Sequence, residues 1–315
     1  MEGKHEERQF EGDLILAARC DPLLLGAIDM HYHGYPELSL ELPARLGDVE
    51  TLELARSMGM GGIVFKSNLW PTMGQVYNLR ERVPGIEAIS SITLNSVAGG
   101  LNPWVVEAAA TQGAKVVWLP TWSSPHRAER LGVGELLIKT CFPSMSFEPR
   151  LSAVDSSGTL LPEVKTIIRL VKDMDLVLCT GHLSPTESLA IAAEAEKIDF
   201  CKLVCTHPIS GSVGATLDEM KELAKRGAYI EVIALNVFLR PKLDDVLECI
   251  TEVGPECCVL GTDAFTEWVA PCPEFMRMFI GVLLHNGIDS DGIATMARDN
   301  PTQLLGLPPK EEGKE

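Results

Sequence analysis

Two histidines two residues apart, His31 and His33 in "IDMHYHGYPE", close a short apolar run near the start of the chain. Residues at i and i+2 of a strand share one face, so both imidazoles can reach one ion. Three more groups of ligand type end similar runs: His182 in "DLVLCTGHLS", His207 in "KLVCTHPIS" and Asp263 in "CCVLGTDAF". The chain has seven histidines. Four of them take this one kind of position, which scattered histidines rarely do. Neutral imidazoles with a carboxylate form a nitrogen and oxygen set that suits zinc first, and also manganese, iron, cobalt or nickel. An ion with an open position lowers the pKa of a bound water towards neutrality. Asp263 could then both bind the ion and take that proton. Singly, each residue has a plainer reading: a turn histidine at 33, braces for the next helix at 182 and 207, a helix cap at 263. Their shared position argues for a site.

Such a site needs elements that bring distant residues to one mouth. Short β-branched apolar runs recur at 26–33, 61–68, 86–95, 114–122, 175–184, 202–210, 228–236 and 257–265. Most are continuously apolar, the mark of strands covered on both faces. Helical patterns lie between them. "DVETLELARSMGM" (48–60) puts Val49, Leu52, Leu54 and Ala55 on one face. "SPTESLAIAAEAEK" (184–197) carries a capping box, Ser184 with Glu187, and Pro185 at the first helical position. "TLDEMKELAKRG" (216–227) repeats the box with Thr216 and Glu219 and ends on Gly227. Eight strand–helix units in 315 residues predict a closed (β/α)8 barrel, a doubly wound sheet being the second choice. In a closed barrel the C-terminal ends of the strands share one mouth. The fourth connection, 123–161, is far longer than such loops usually are. It holds a turn at Asp155–Gly158, fits a small hairpin and would overhang the mouth. One domain is expected over 1–315, with its core at 26–307 and a charged, disordered tail at 308–315.

Other residues fall at the same mouth. Lys66 and Asn68 end the second run, Asn95 the third, and Trp118 and Trp122 alternate on the fourth. Asn68 and Asn95 are candidates to bind a substrate oxygen, against a turn role. The tryptophans would give the pocket an aromatic side, with packing the alternative for at least one. His126, Arg127 and Arg130 form the basic cluster of the long connection. If it faces the pocket, the substrate carries a carboxylate; otherwise it is solvated surface. Glu231 lies in the seventh run and could support a histidine from behind.

Bulk properties exclude whole classes. The formal net charge is −17, which repels phosphate backbones and argues against nucleic acid as a partner. No run of 18 or more apolar residues occurs, so no membrane span is expected. The charged start "MEGKHEERQFEGD" lacks a secretory core, which predicts a cytoplasmic protein with its nine cysteines reduced. No CxxC pair is present, so a structural zinc site is not expected. A small-molecule substrate is the expected partner. Exposed barrel helices leave homo-oligomers open.

The ligand set resembles that of the amidohydrolase superfamily: HxH on the first strand, histidines on the fifth and sixth, and aspartate on the eighth. The stretches "TGHLSPTESLAIAAEAEK", "KLVCTHP" and "DNPTQLLGL" (299–307) resemble it as well, and the likeness spans about 26–307. The resemblance implies that His31, His33 and Asp263 hold a buried ion, and that His182 and His207 hold a more exposed one where there are two. It implies hydrolysis, with the aspartate passing the proton to the leaving group. One departure stands out. Two-metal members bridge their ions with a carboxylated lysine on the fourth strand. Here that strand ends "VVWLPTW", and Lys115 sits at its start. Lys66 is the free candidate. Either it carries the bridging carbamate from an unusual strand, or it stays an ammonium that grips an anionic substrate. The expected activity is cleavage of a C–N or C–O bond in an amide, lactam or lactone. The competing readings are a metal-dependent decarboxylase or lyase on the same ligands, and a barrel that binds metal or ligand without catalysis.

Overall fold

In the computed structural model, the described residues are 20–308 apart from 131–132, 142–148 and 238–242. Among the described residues nine parallel strands form the centre: β1 Ile28–His33, β2 Gly62–Lys66, β3 Glu87–Ile89, β4 Ser91–Thr93, β5 Val116–Trp118, β6 Val177–Cys179, β7 Leu203–Cys205, β8 Tyr229–Ile233 and β9 Cys258–Gly261. They pair in two sheets, β1-β2-β3 and β4 through β9 in order.

The expected third strand is broken at one residue. β3 pairs with β2 and β4 with β5. Between them the Ser90 carbonyl accepts from Lys115 N at 2.9 Å, so the chain changes partner there. β3 and β4 make one stave, and the barrel has eight. It closes between the last stave and the first. Asp263 N donates to His31 O at 2.7 Å and His33 N to Ala264 O at 3.0 Å. The (β/α)8 architecture read from the sequence is the architecture observed.

Helices α1 Asp48–Ser57, α2 Met73–Arg82, α3 Pro103–Thr111, α4 Pro125–Glu129, α5 Val133–Cys141, α6 Pro162–Asp173, α7 Pro185–Lys197, α8 Leu217–Lys225, α9 Leu243–Val253, α10 Cys272–His285, α11 Ser290–Ala294 and α12 Asn300–Leu305 follow in chain order. Both expected capping boxes are present, Ser184 with Glu187 and Thr216 with Glu219. On α1, Leu52 and Ala55 are buried. The larger apolar core fills the space between the barrel and this helical ring.

A second core runs down the barrel axis. Ile28, Met30, Val64, Ile89, Val116, Trp118, Val177, Cys179, Val204 and Val259 point inward, and Leu304 and Leu305 of α12 plug the bottom. Asn300 fixes that plug by donating from Nδ2 to the carbonyl of Cys258 at 2.7 Å. Above the mouth lies a third cluster, Leu38, Leu69, Trp122 and Ile138. Ile138 belongs to α5, so the long fourth connection does lean over the mouth. The turn at 155–158 forms, with an antiparallel bridge between Val154 and Leu160. The expected tail beyond 308 lies outside the described residues. Among the described residues no helix is long and apolar enough to cross a membrane.

Candidate metal centre

β1 enters the site with a change of phase. Its register on β2 shifts between Asp29 and Tyr32, which places one extra residue in β1. A bulge of this kind re-aims the side chains after it. Met30 and His31 both turn inward, while Tyr32 joins the outer core. Asp29, fully buried, accepts from His31 N at 2.9 Å, from Thr262 N at 2.9 Å and from Cys272 Sγ at 2.9 Å. Burial pushes its carboxyl up to about 6, against those hydrogen bonds. Gly261 faces the bulge. A Cβ there would come within 2.9 Å of His31 Cβ, so the two chains approach this closely only at a glycine.

Inside the mouth three donor atoms form a tight triangle. His31 Nε2 and His33 Nε2 are 3.3 Å apart, and Asp263 Oδ1 lies 3.2 Å from the first and 3.1 Å from the second. Donors bound to one ion at about 2.1 Å lie roughly 3.0 Å apart in octahedral and 3.4 Å apart in tetrahedral coordination. All three edges fall between those values, so the triangle fits one divalent ion. Its chemistry fits as well. Burial holds His31 well below the ordinary imidazole range, so it offers a free nitrogen. Burial alone would raise the Asp263 carboxyl, but His31 and His33 outweigh it and hold it well below the usual carboxylate range.

Each histidine of the HxH pair has a carboxylate behind it. Glu231 of β8 lies 3.1 Å from His31 Nδ1 and also accepts from His207 N at 3.0 Å. Burial pushes Glu231 up to about 7. Glu37, in the loop after β1, lies 3.0 Å from His33 Nδ1 as an ion-pair contact. Burial and Lys66 press His33 downward, and Glu37 and Asp263 outweigh them.

His182 and His207 meet across staves with their Nε2 atoms 3.2 Å apart. Burial depresses both, His207 to about 4, so both are neutral and able to bind a cation. The backbone at two of these positions is strained. His207 has φ +24° and Asp263 φ +54°, a region most residues avoid and one that clusters at functional sites. Gly181, with φ +64°, sets up His182. A Cβ there would collide with the backbone carbonyl of Leu119.

The structure brings together His31, His33, Lys66, His182, His207 and Asp263. Lys66 is buried, its Nζ 3.4 Å from His33 Nε2 and 3.4 Å from Asn68 Oδ1, and 5.0 Å from the centre of the Trp118 ring. Trp118 also packs 4.6 Å from His31. Asn68 and Asn95 sit further back. Asn68 donates to Glu37 Oε1 at 2.7 Å and accepts from Thr121 Oγ1 at 2.7 Å. Asn95 is fully buried, with all four of its hydrogen-bonding positions taken by Asn68 O, Thr121 and Ser123 N. Trp122 belongs to the roof. His126 bonds Val213 O at 2.8 Å and ties α4 to the loop after β7. Arg127 is buried, close enough to His182 to press its pKa down. Arg130 reaches Gly211 O. Asp29 and Glu37 escaped the sequence reading. Asp29 left a signal, an acid inside an apolar strand; Glu37 left none.

Residues 26–231 match the model of DUF6282, described as a family of unknown function, and the chain belongs to that family. The match takes in all four site histidines and Lys66. No curated protein matches the chain in sequence. Solved structures with a similar fold include the probable dipeptidase PvdM from Pseudomonas aeruginosa, at 12% identity and TM-score 0.60, covering 92% of this chain and 98% of that one. They include amidohydrolase 2 from Bifidobacterium longum subsp. infantis, at 15% identity and TM-score 0.54, covering 90% and 100%. A third is 2,6-dihydroxybenzoate decarboxylase from Rhizobium, at 12% identity and TM-score 0.54, covering 90% and 99%. At these identities the likeness is one of fold: the chain shares the (β/α)8 barrel of these proteins.

Proposed function

Taking the chain as a DUF6282 member built on the amidohydrolase barrel, we propose that it is a metal-dependent hydrolase of a small molecule, cleaving a C–N or C–O bond. The observation that carries this reading is the triangle of His31, His33 and Asp263, whose edges of 3.1 to 3.3 Å fit one ion. A divalent ion held there, zinc first by its nitrogen and oxygen donors, supplies Lewis acidity and lowers the pKa of water.

The chain's own residues do the rest. Glu231 and Glu37 orient the two imidazoles so that each presents Nε2 to the mouth. Asp263 is ionised and is the most exposed member of the triangle, its side chain 15% accessible. In this reading it takes a proton from an attacking water and returns it to the leaving group. The roof of Leu38, Leu69, Trp122 and Ile138 keeps bulk water from one side of the mouth. His182 and His207 form a second donor pair, with Nε2 atoms 3.2 Å apart, that would hold a further cation with fewer donors.

Elemental analysis of the purified protein tests the reading. One tightly held divalent ion per chain is expected. His31→Ala and Asp263→Ala should lose it together with turnover, while His207→Ala keeps it. Activity that survives removal of metal would overturn the proposal. Turnover in water labelled with heavy oxygen separates hydrolysis from decarboxylation, since only hydrolysis places the label in the organic product.

A further inference from the structure

Beside the ligand triangle, staves two to four bring three hydrogen-bond donors to the mouth. Lys66 ends β2, Thr93 ends β4 and Trp118 ends β5. Thr93 and Trp118 are direct partners in the β4–β5 register. Ser91 Oγ donates to Phe65 O at 2.7 Å, which fastens β4 against the end of β2. All three side chains are buried, with exposures of 1%, 1% and 0%.

Their donors lack acceptors. Trp118 Nε1 and Thr93 Oγ1 have no hydrogen-bond partner among the described residues. A buried polar atom left unpaired costs about 1–3 kcal/mol, so such atoms ask for an explanation. Among the described residues Lys66 Nζ has two hydrogen-bond contacts, both long at 3.4 Å. One is His33 Nε2, whose lone pair goes to an ion once one binds. The other is Asn68 Oδ1, which already accepts from Thr121 at 2.7 Å. An ammonium has three protons and even a neutral amine has two, so Lys66 keeps a proton to give in either state.

Buried donors without partners call for an acceptor-only group. We propose that Lys66, Thr93 and Trp118 form a subsite for a carboxylate of the substrate. This rests on the metal-dependent reading above and narrows it to small molecules that carry a carboxylate beside the bond to be cut. The setting favours a nitrogen with a proton to donate over a carbamate at Lys66. Nζ lies 5.0 Å from the Trp118 ring centre, where the π face attracts cations, and it points a proton at the carbonyl of Asn68. A carbamate would set a negative group against both.

The test compares hydroxamates on the zinc-loaded protein. Acetohydroxamate binds an ion and carries no carboxylate; the monohydroxamates of malonic, succinic and glutaric acid add one at increasing reach. At least one of the three should bind about 10-fold or more tighter than acetohydroxamate, as expected for hydrogen bonds to a charged group. Thr93→Val and Trp118→Phe should each remove most of that advantage, read as the ratio of monohydroxamate to acetohydroxamate affinity on the same variant. Binding should also shift the indole N–H resonance of Trp118. The proposal is overturned if no carboxylate confers an advantage, if the advantage survives both substitutions, or if protein equilibrated with 13C-bicarbonate shows a carbamate on Lys66. If the protein takes up no divalent ion, zinc, manganese, iron, cobalt and nickel included, the metal reading fails on its own account. Titration of the metal-free protein with succinate, followed at the Trp118 indole N–H, then still decides the subsite.

Discussion

At the scale of single residues the site is a set of supported imidazoles. His31 shows the pattern most fully: Nε2 faces Asp263 and His33 while Nδ1 rests on Glu231. Glu231→Gln keeps the shape and weakens the grip on the N–H, so metal affinity should fall about 10- to 100-fold with the fold intact. Competition with a chelator of known affinity measures this, and an unchanged dissociation constant would sink the role. The ligand-type residues themselves were legible in the sequence. Each follows a strand-like run, and the chemistry of histidine and aspartate is fixed by residue type. The orienting residues were not. Glu37 reaches His33 from an irregular loop, where no periodicity says which way a side chain points. For the same reason Asn68 reads as a pocket residue in the sequence but is buried against Glu37 in the structure.

At the scale of elements, capping and packing set where each ligand arrives. The helices read well because their caps are local. The Ser184–Glu187 box depends on residues three apart, and such spacing is visible in any sequence. The third strand read less well. The switch of partner at Ser90 is decided by which neighbour the backbone reaches across the barrel, information that no single segment contains. The bulge in β1 is of the same kind. It depends on Gly261 and Asp29 meeting some 230 residues apart in sequence. Gly181 belongs to this scale too. Gly181→Ala must take φ +64° with a Cβ against the Leu119 carbonyl, which costs on the order of 1–3 kcal/mol and displaces His182. A fall in melting temperature together with weakened binding of a second metal equivalent is the expected result. An unchanged melting curve would refute it.

At the scale of the whole molecule the barrel is one body with a sealed base and one open end. Leu304 and Leu305 close the axis beneath Val259 and Ile28, although they come from the last helix described. Leu304→Ala empties part of that plug and should cost about 2–5 kcal/mol. Denaturant unfolding measures the loss. A change below about 1 kcal/mol would mean that the axis tolerates the gap. The sequence made the barrel legible through its repeated strand–helix period, but not this stopper, because nothing in "PTQLLGL" says which cavity it fills.

The seam where the barrel closes has one more consequence. His31 and His33 stand on the first stave and Asp263 on the last, with the backbones joined there by Asp263 N to His31 O. An ion shared among the three would therefore work as a clasp, joining the first stave to the last where the ring closes. Loading it should slow opening unevenly. Amide exchange should fall most at 28–33 and 258–264, and much less on the far side at 116–118. A uniform fall would mean that the ion stabilises the whole without fastening the seam.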